Sequence, residues 1–387
     1  MIRSFTASTA EIDDVEAAVS ELFSLLDCEN NLLKNSVGIV SFYSEFSDTG
    51  VLSALAEKLP FPVVGTTTLA TGTQGMFGQF ELGIIVFTSD DVEFEAVLSG
   101  SLSERLDEPI EKMYAEAVSG HAKKPALMLT FAPLIFQYAG DLYVELLDKL
   151  SGGVPNFGTL AVDHNTDYHE AATIFNGEVH KDKAAVVLFF GEVEAEFHIV
   201  SMPRERIMKQ MAVVTESDGN ILKSINNKPI SDYFETMGLA KNGVINEGAF
   251  SVPYAIDYND STPPVSRSIF ALTPEGYGVV GGLMPEGTTL LIGGMNKNDV
   301  INTTEGKIEE VLSAPENKVL LMYSCIGRSL ALGADILAEL ECVQEKMGDS
   351  VPYLISYSGG EICPVYGESG AKNRFHNNTL VICAIKG

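Results

Sequence analysis

The chain carries the same local order of elements three times, and this reuse constrains its fold more than any other feature. A buried strand is followed by a helix, a Pro-led second strand, a polar loop and a third strand. The first strands are expected at 37–42, 126–131 and 319–324, the second at 61–65, 154–158 and 351–355, and the third at 82–87, 184–190 and 379–384. A unit reused in one chain builds a scaffold, so chemistry is to be sought where one copy differs from the others.

At 387 residues the chain exceeds the roughly 250–300 residues over which a single core usually keeps growing, so two domains are expected. Its 53 acidic and 25 basic residues give a net charge of −28. Such a field repels phosphate backbones and anionic lipid surfaces, which argues against nucleic acid as a partner. The five cysteines (Cys28, Cys325, Cys342, Cys363 and Cys383) are odd in number and widely spaced, the pattern of free thiols in a reducing compartment. The first residues lack the apolar stretch of a signal peptide, and the longest apolar runs are strand-sized, far short of the ~20 residues of a membrane helix. These features lead to the expectation of a cytoplasmic protein with no membrane insertion.

The local pattern places an amphipathic helix over 12–26, with Val15, Ala18, Val19, Leu22 and Leu26 on one face. The alternating segments 92–98 and 193–200 read as half-exposed strands that follow the third strand of the first and second copies. Near 203 the order breaks, and from 212 to 310 a turn-rich pattern takes over, marked by 217–220, 225–229 and 273–276. The expected division is therefore 1–203, holding two copies at about 37–98 and 126–200, and 204–387, holding the turn-rich segment and a third copy at about 319–385. The fold class is α/β (mixed α+β), with mixed sheets carrying helices on their outer faces. Periodicity leaves open whether the sheets stack into a four-layer α/β/β/α sandwich.

Five elements, at 212–221, 283–288, 325–328 (Cys-Ile-Gly-Arg), 360–364 (Gly-Glu-Ile-Cys-Pro) and 376–381 (His-Asn-Asn-Thr-Leu-Val), give the chain its family likeness. With them it resembles the FIST family (F-box and intracellular signal transduction), an N-terminal segment over about 30–205 and a C-terminal one over about 210–370. The resemblance implies a sensory module that binds small molecules such as amino acids and passes the result to signalling partners. The stretch 357–360 departs from the Thr-Tyr-Gly-type approach to the glutamate expected of the family. No kinase, cyclase, methyl-acceptor or F-box segment is seen, so a signalling partner in trans is expected.

In a strand–helix–strand unit with a right-handed crossover, the carboxyl ends of both strands lie on one sheet edge, the usual ligand edge of α/β sheets. In the third copy Cys325 and Arg328 end strand one, Glu361 follows strand two, and His376 and Asn377 open strand three. These groups are expected to converge. Arg328 then pairs with a ligand carboxylate, Glu361 accepts from an ammonium, and Asn377 fixes orientation. Thr66 and Thr67, in the Gly- and Thr-rich stretch 65–75, are further candidates; the stretch lacks the Gly-Lys-Ser/Thr ending of a P-loop. The same residues also suit a structural role, with Arg328 and Glu361 as a buried ion pair and His376 and Asn377 as strand-end caps.

Cys325, Cys363 and His376 lack metal-ligand spacing, and no metal or cofactor is expected. The favoured function is small-molecule sensing without catalysis. Two alternatives stand: a hydrolase or transferase using Glu361 and His376 as acid and base, and a protein-interaction scaffold.

Overall fold

The three apolar first strands, Asn35–Phe42, Leu127–Ala132 and Lys318–Cys325, are buried on both faces, which is why they read as continuous hydrophobic runs. Val37 and Ile39, Leu127 and Leu129, and Val319 and Leu321 point to one shared interior. Their alternate neighbours, such as Val40, Met128 and Leu320, point outward to helices. The computed structural model describes residues 1–387 apart from 136, 166, 209–211, 247–251, 259, 314–317, 349–350, 369 and 387.

The fold is mixed α+β. Three six-stranded sheets surround the common core, so the arrangement is a three-sided prism and not a pair of stacked sheets. Each sheet is covered outside by two principal helices: Val15–Leu26 with Val51–Lys58, Asp107–Ala117 with Gly140–Ser151, and Lys297–Leu312 with Ala338–Met347. Local chemistry fixes these helices. Asp14 caps the first by accepting from the Ala17 N–H at 3.0 Å, and Asn296 with Asp299 forms a capping box on Lys297–Leu312.

Within each sheet the first strand pairs parallel with the second and antiparallel with the third. The parallel registers place Phe42 opposite Thr67, Ala132 opposite Leu160, and Cys325 opposite Ser358. The outer strand beside the third differs from the sequence reading. Glu93–Leu98 pairs with Ala185–Phe190, and Ala195–Val200 with Leu380–Lys386. Each therefore leads the following copy, as Ile2–Thr9 leads the first by pairing with Leu82–Ser89.

The polar stretch after each second strand is a hairpin that joins another copy's sheet. Thr71–Thr73 with Met76–Gly78 extends the third copy's sheet at Tyr353–Ser358. Thr173–Phe175 with Glu178–His180 extends the first at Val63–Thr67. Glu361–Gly367 with Gly370–His376 extends the second at Asn156–Leu160. The division of the sequence near 203 is thus crossed in space by strands from both sides.

The turn-rich segment forms an eight-stranded sheet with its own core, including Leu222, Phe234, Tyr254, Ile256 and Leu290. It is inserted between the lead strand Ala195–Val200 and the helix Lys297–Leu312 of the third copy. A buried ion pair seats it: the Arg267 guanidinium donates to Asp141 at 2.8 Å and to the Phe375 carbonyl at 2.7 Å, while Asp141 also accepts from the Leu283 N–H at 2.7 Å.

Candidate ligand site

The carboxyl ends of the three second strands meet at one end of the prism. There the Thr68 hydroxyl donates to the Tyr357 carbonyl at 2.8 Å, the Thr159 hydroxyl donates to Ser358 Oγ at 2.8 Å, and the Gly359 N–H donates to the Leu160 carbonyl at 2.9 Å. Polar side chains collect here because strand ends leave backbone groups that must be satisfied.

Arg328 is brought to this end but faces away from the ligand edge. It is 0% exposed, on the short helix Ile326–Leu332, and its guanidinium turns into the outer helical layer. Its Nε and Nη2 donate to Glu339 Oε1 at 3.0 and 2.7 Å, and Nη2 also donates to Thr304 Oγ1 at 2.8 Å. Glu339, equally 0% exposed, accepts from the Thr304 and Ser324 hydroxyls as well. The expected pairing of Arg328 with a ligand carboxylate therefore fails: desolvating a guanidinium requires a carboxylate partner, and Glu339 already supplies it.

Glu361 and His376 do come together, for a reason the sequence did not show. They are cross-strand partners at the open end of the exchanged hairpin, Glu361 beginning one of its strands and His376 ending the other. Glu361 Oε2 accepts from the Thr379 hydroxyl at 2.7 Å, and Oε1 has no partner. Burial holds this carboxyl well above the usual carboxylate range, so it is a neutral acid that cannot balance an ammonium. Burial, and then the nearby Glu361, raises the Cys325 thiol in the same way. Burial pushes His376 down to about 3, while its Nε2 lies 3.2 Å from the Cys363 carbonyl.

The other candidates have mixed placements. Asn377 is 3% exposed; its N–H donates to the Ser266 carbonyl at 3.2 Å and its Oδ1 has no partner. Thr66 lies opposite Thr173 in the strand pairing. The Thr67 hydroxyl donates to the Ala172 carbonyl at 3.3 Å and accepts from the Ala172 N–H at 2.9 Å. Both threonines anchor a hairpin and line neither opening described next. Among the described residues no group of three or more His, Cys, Asp or Glu is arranged to hold a metal ion.

Two openings lie on either side of the wall formed by 266–268 and 376–379. The larger, a cleft of about 750 Å³, is walled by Phe197, Ile199, Met202, Ile207, Val365 and Tyr366, with Ser201, Ser266, His376, Thr379 and the rim residue Arg204 as its polar groups. The Ser201 and Ser266 hydroxyls are 2.9 Å apart. The smaller, of about 150 Å³, includes Cys325, Gly327, Gly359 and Asn377 in its lining. Glu361 lines neither opening and is tied to the cleft residue Thr379 by that residue's hydroxyl. Most cleft residues escaped the sequence reading because they come from four separate segments; only the interruption at 202–211 hinted at them.

The FIST N domain matches residues 36–228 and the FIST C domain residues 231–364, and the chain belongs to the FIST family. FIST domains are of the signal-transduction sensor type. No curated protein matches the chain. Among solved structures, phosphoribosylformylglycinamidine synthase II from Thermotoga maritima is similar at 11% identity over 100% of this chain and 72% of its own, with a TM-score of 0.20. PurLQS from the same organism aligns at 9% identity over the same shares, with a TM-score of 0.21. Likenesses this slight carry no argument. Among the described residues no helix is long and apolar enough to cross a membrane.

Proposed function

We propose that the protein is a small-molecule sensor without catalytic activity, whose ligand occupies the 750 Å³ cleft and whose response passes to a partner protein. The cleft itself is the observation that carries this reading. Its volume lies within the roughly 300–1,000 Å³ of small-molecule sites, and its lining pairs an apolar wall with a few polar groups. Met202 and Met208 give that wall adaptable packing. The chemistry suits a ligand with an apolar body and one anionic or hydrogen-bonding head.

The walls come from the third copy's lead strand, the exchanged hairpin, the insert and the 201–208 link. A ligand spanning them binds one seating of the insert better than another, and this differential affinity is what a sensor needs. Glu361 is 0% exposed and lines neither opening, which argues against its use as an acid on a bound substrate, since a general acid must come within hydrogen-bond reach of the reacting group.

The test is a thermal-shift and calorimetric screen of small metabolites, amino acids included, on the wild type and on Ser201→Phe and Ala255→Leu, which fill the cleft. A saturable ligand is expected to stabilise the wild type, by about 2.7 kcal/mol at 100 times its Kd, and to lose at least tenfold in affinity in both variants. A saturable ligand that binds the filled variants as tightly as the wild type would overturn the assignment.

A further inference from the structure

Among the described residues no Asp or Glu lines the cleft, although acids outnumber bases 53 to 25 in the chain. Arg204 is the one charged residue of the lining, exposed at the rim on the single turn Arg204–Arg206. The other arginine of that turn, Arg206, is held by Asp299, its Nε 3.0 Å from Oδ2. The Arg204 guanidinium has no ion pair or hydrogen bond among the described residues. In a chain so rich in carboxylates, a guanidinium that has none and that borders an apolar wall is free to take one from a ligand.

The remaining donors of the cleft ask for the same kind of partner. The Thr379 hydroxyl is engaged by Glu361, and His376 Nε2 lies 3.2 Å from the Cys363 carbonyl. Ser201 and Ser266 Oγ are 2.9 Å apart, and the bond between them uses one of the pair's two protons. The second proton has no acceptor among the described residues, so the pair can donate once more. A head that accepts hydrogen bonds and carries negative charge suits these donors. An ammonium would meet no carboxylate in the lining and would be repelled by Arg204.

We propose that the cleft selects apolar monocarboxylates and discriminates against zwitterionic amino acids. The ligand carboxylate pairs with the Arg204 guanidinium at the rim, and its hydrocarbon body lies against Phe197, Ile199, Met202 and Val365. The planar guanidinium offers a carboxylate two parallel N–H donors. At the rim this pair stays in contact with water, so only the apolar body is desolvated and the cost of burying charge is avoided. This selectivity rests on the cleft being the ligand site proposed above.

The probes share one hydrocarbon chain: octanoate, octanol and 2-aminooctanoate. Titrated into the full chain by calorimetry, octanoate is expected to bind saturably and about tenfold more tightly than octanol, the worth of one charge-assisted hydrogen bond. Its advantage over 2-aminooctanoate is expected to be about fivefold or more, from the unpaired ammonium. Arg204→Gln, a change at an exposed position, is expected to bring octanoate down to the affinity of octanol and to leave octanol unchanged. Added salt should weaken octanoate and spare octanol. Octanoate and octanol bound equally, and both lost in Ser201→Phe, would overturn the carboxylate assignment while leaving the cleft as a ligand site. A preference for octanoate that survives Arg204→Gln, an equal affinity for 2-aminooctanoate, or no saturable binding of octanoate would also overturn it. Octanoate binding that Ser201→Phe leaves intact would overturn both readings.

Discussion

Arg328→Ala leaves Glu339 as a carboxylate at 0% exposure with its cation gone. In the wild type that carboxylate receives two guanidinium N–H donors at 3.0 and 2.7 Å and the Thr304 and Ser324 hydroxyls at 2.6 Å each. The two hydroxyls remain in the variant but supply no charge. Removing one partner of a buried pair typically costs about 3–5 kcal/mol, and the vacated guanidinium space adds to it. The assay is guanidinium chloride unfolding followed by far-UV circular dichroism, since the chain has no Trp to report by fluorescence. Arg328→Met combined with Glu339→Leu should recover most of the loss, because an apolar pair of similar volume avoids the desolvation cost of both ions. An Arg328→Ala protein with an unchanged unfolding midpoint would refute this reasoning and return Arg328 to the ligand.

Two further outcomes are expected. His376 is held at about 3 in the folded protein against an ordinary 6.5; a depressed folded value means the unfolded chain takes up a proton first, so the stability it contributes above pH 6.5 is lost as pH falls toward 3, at up to about 1.4 kcal/mol per pH unit. Unfolding at pH 7 and pH 5 should show a smaller difference in His376→Gln than in the wild type, and equal differences would sink the claim. Gly158→Ala places a Cβ 2.0 Å from the Thr130 carbonyl oxygen of the neighbouring strand, a backbone clash expected to cost roughly 3 kcal/mol or more; soluble protein with a wild-type melting temperature would contradict it.

The three copies were legible because their strands are buried on both faces and so announce themselves as apolar runs. The hairpins were not, since 71–78 and 361–376 satisfy their backbone on sheets belonging to other copies, and local sequence says nothing about which distant edge a hairpin will join. The site divides the same way. Glu361 and His376 were visible as polar residues flanking apolar strands, and they do meet. The partner of Arg328 was hidden, because Glu339 lies in the helix Ala338–Met347 among Glu341, Glu345 and Lys346, where one more acid looks like ordinary solvated surface. Arg267 was hidden likewise, its role decided by Asp141, 126 residues earlier.

The cyclic exchange of hairpins has a consequence for how the protein must be made. When the ribosome has released residues 71–78, their docking edge at Tyr353–Ser358 does not yet exist; the Thr71 hydroxyl finally reaches the Ile355 carbonyl across 284 residues. Nascent chain therefore waits with unpaired strands until residues 353–358 have been made, which makes assembly slow and exposes it to aggregation on the way. Once the last hairpin closes onto Asn156–Leu160, each third of the molecule is locked by another, and none can be peeled away alone.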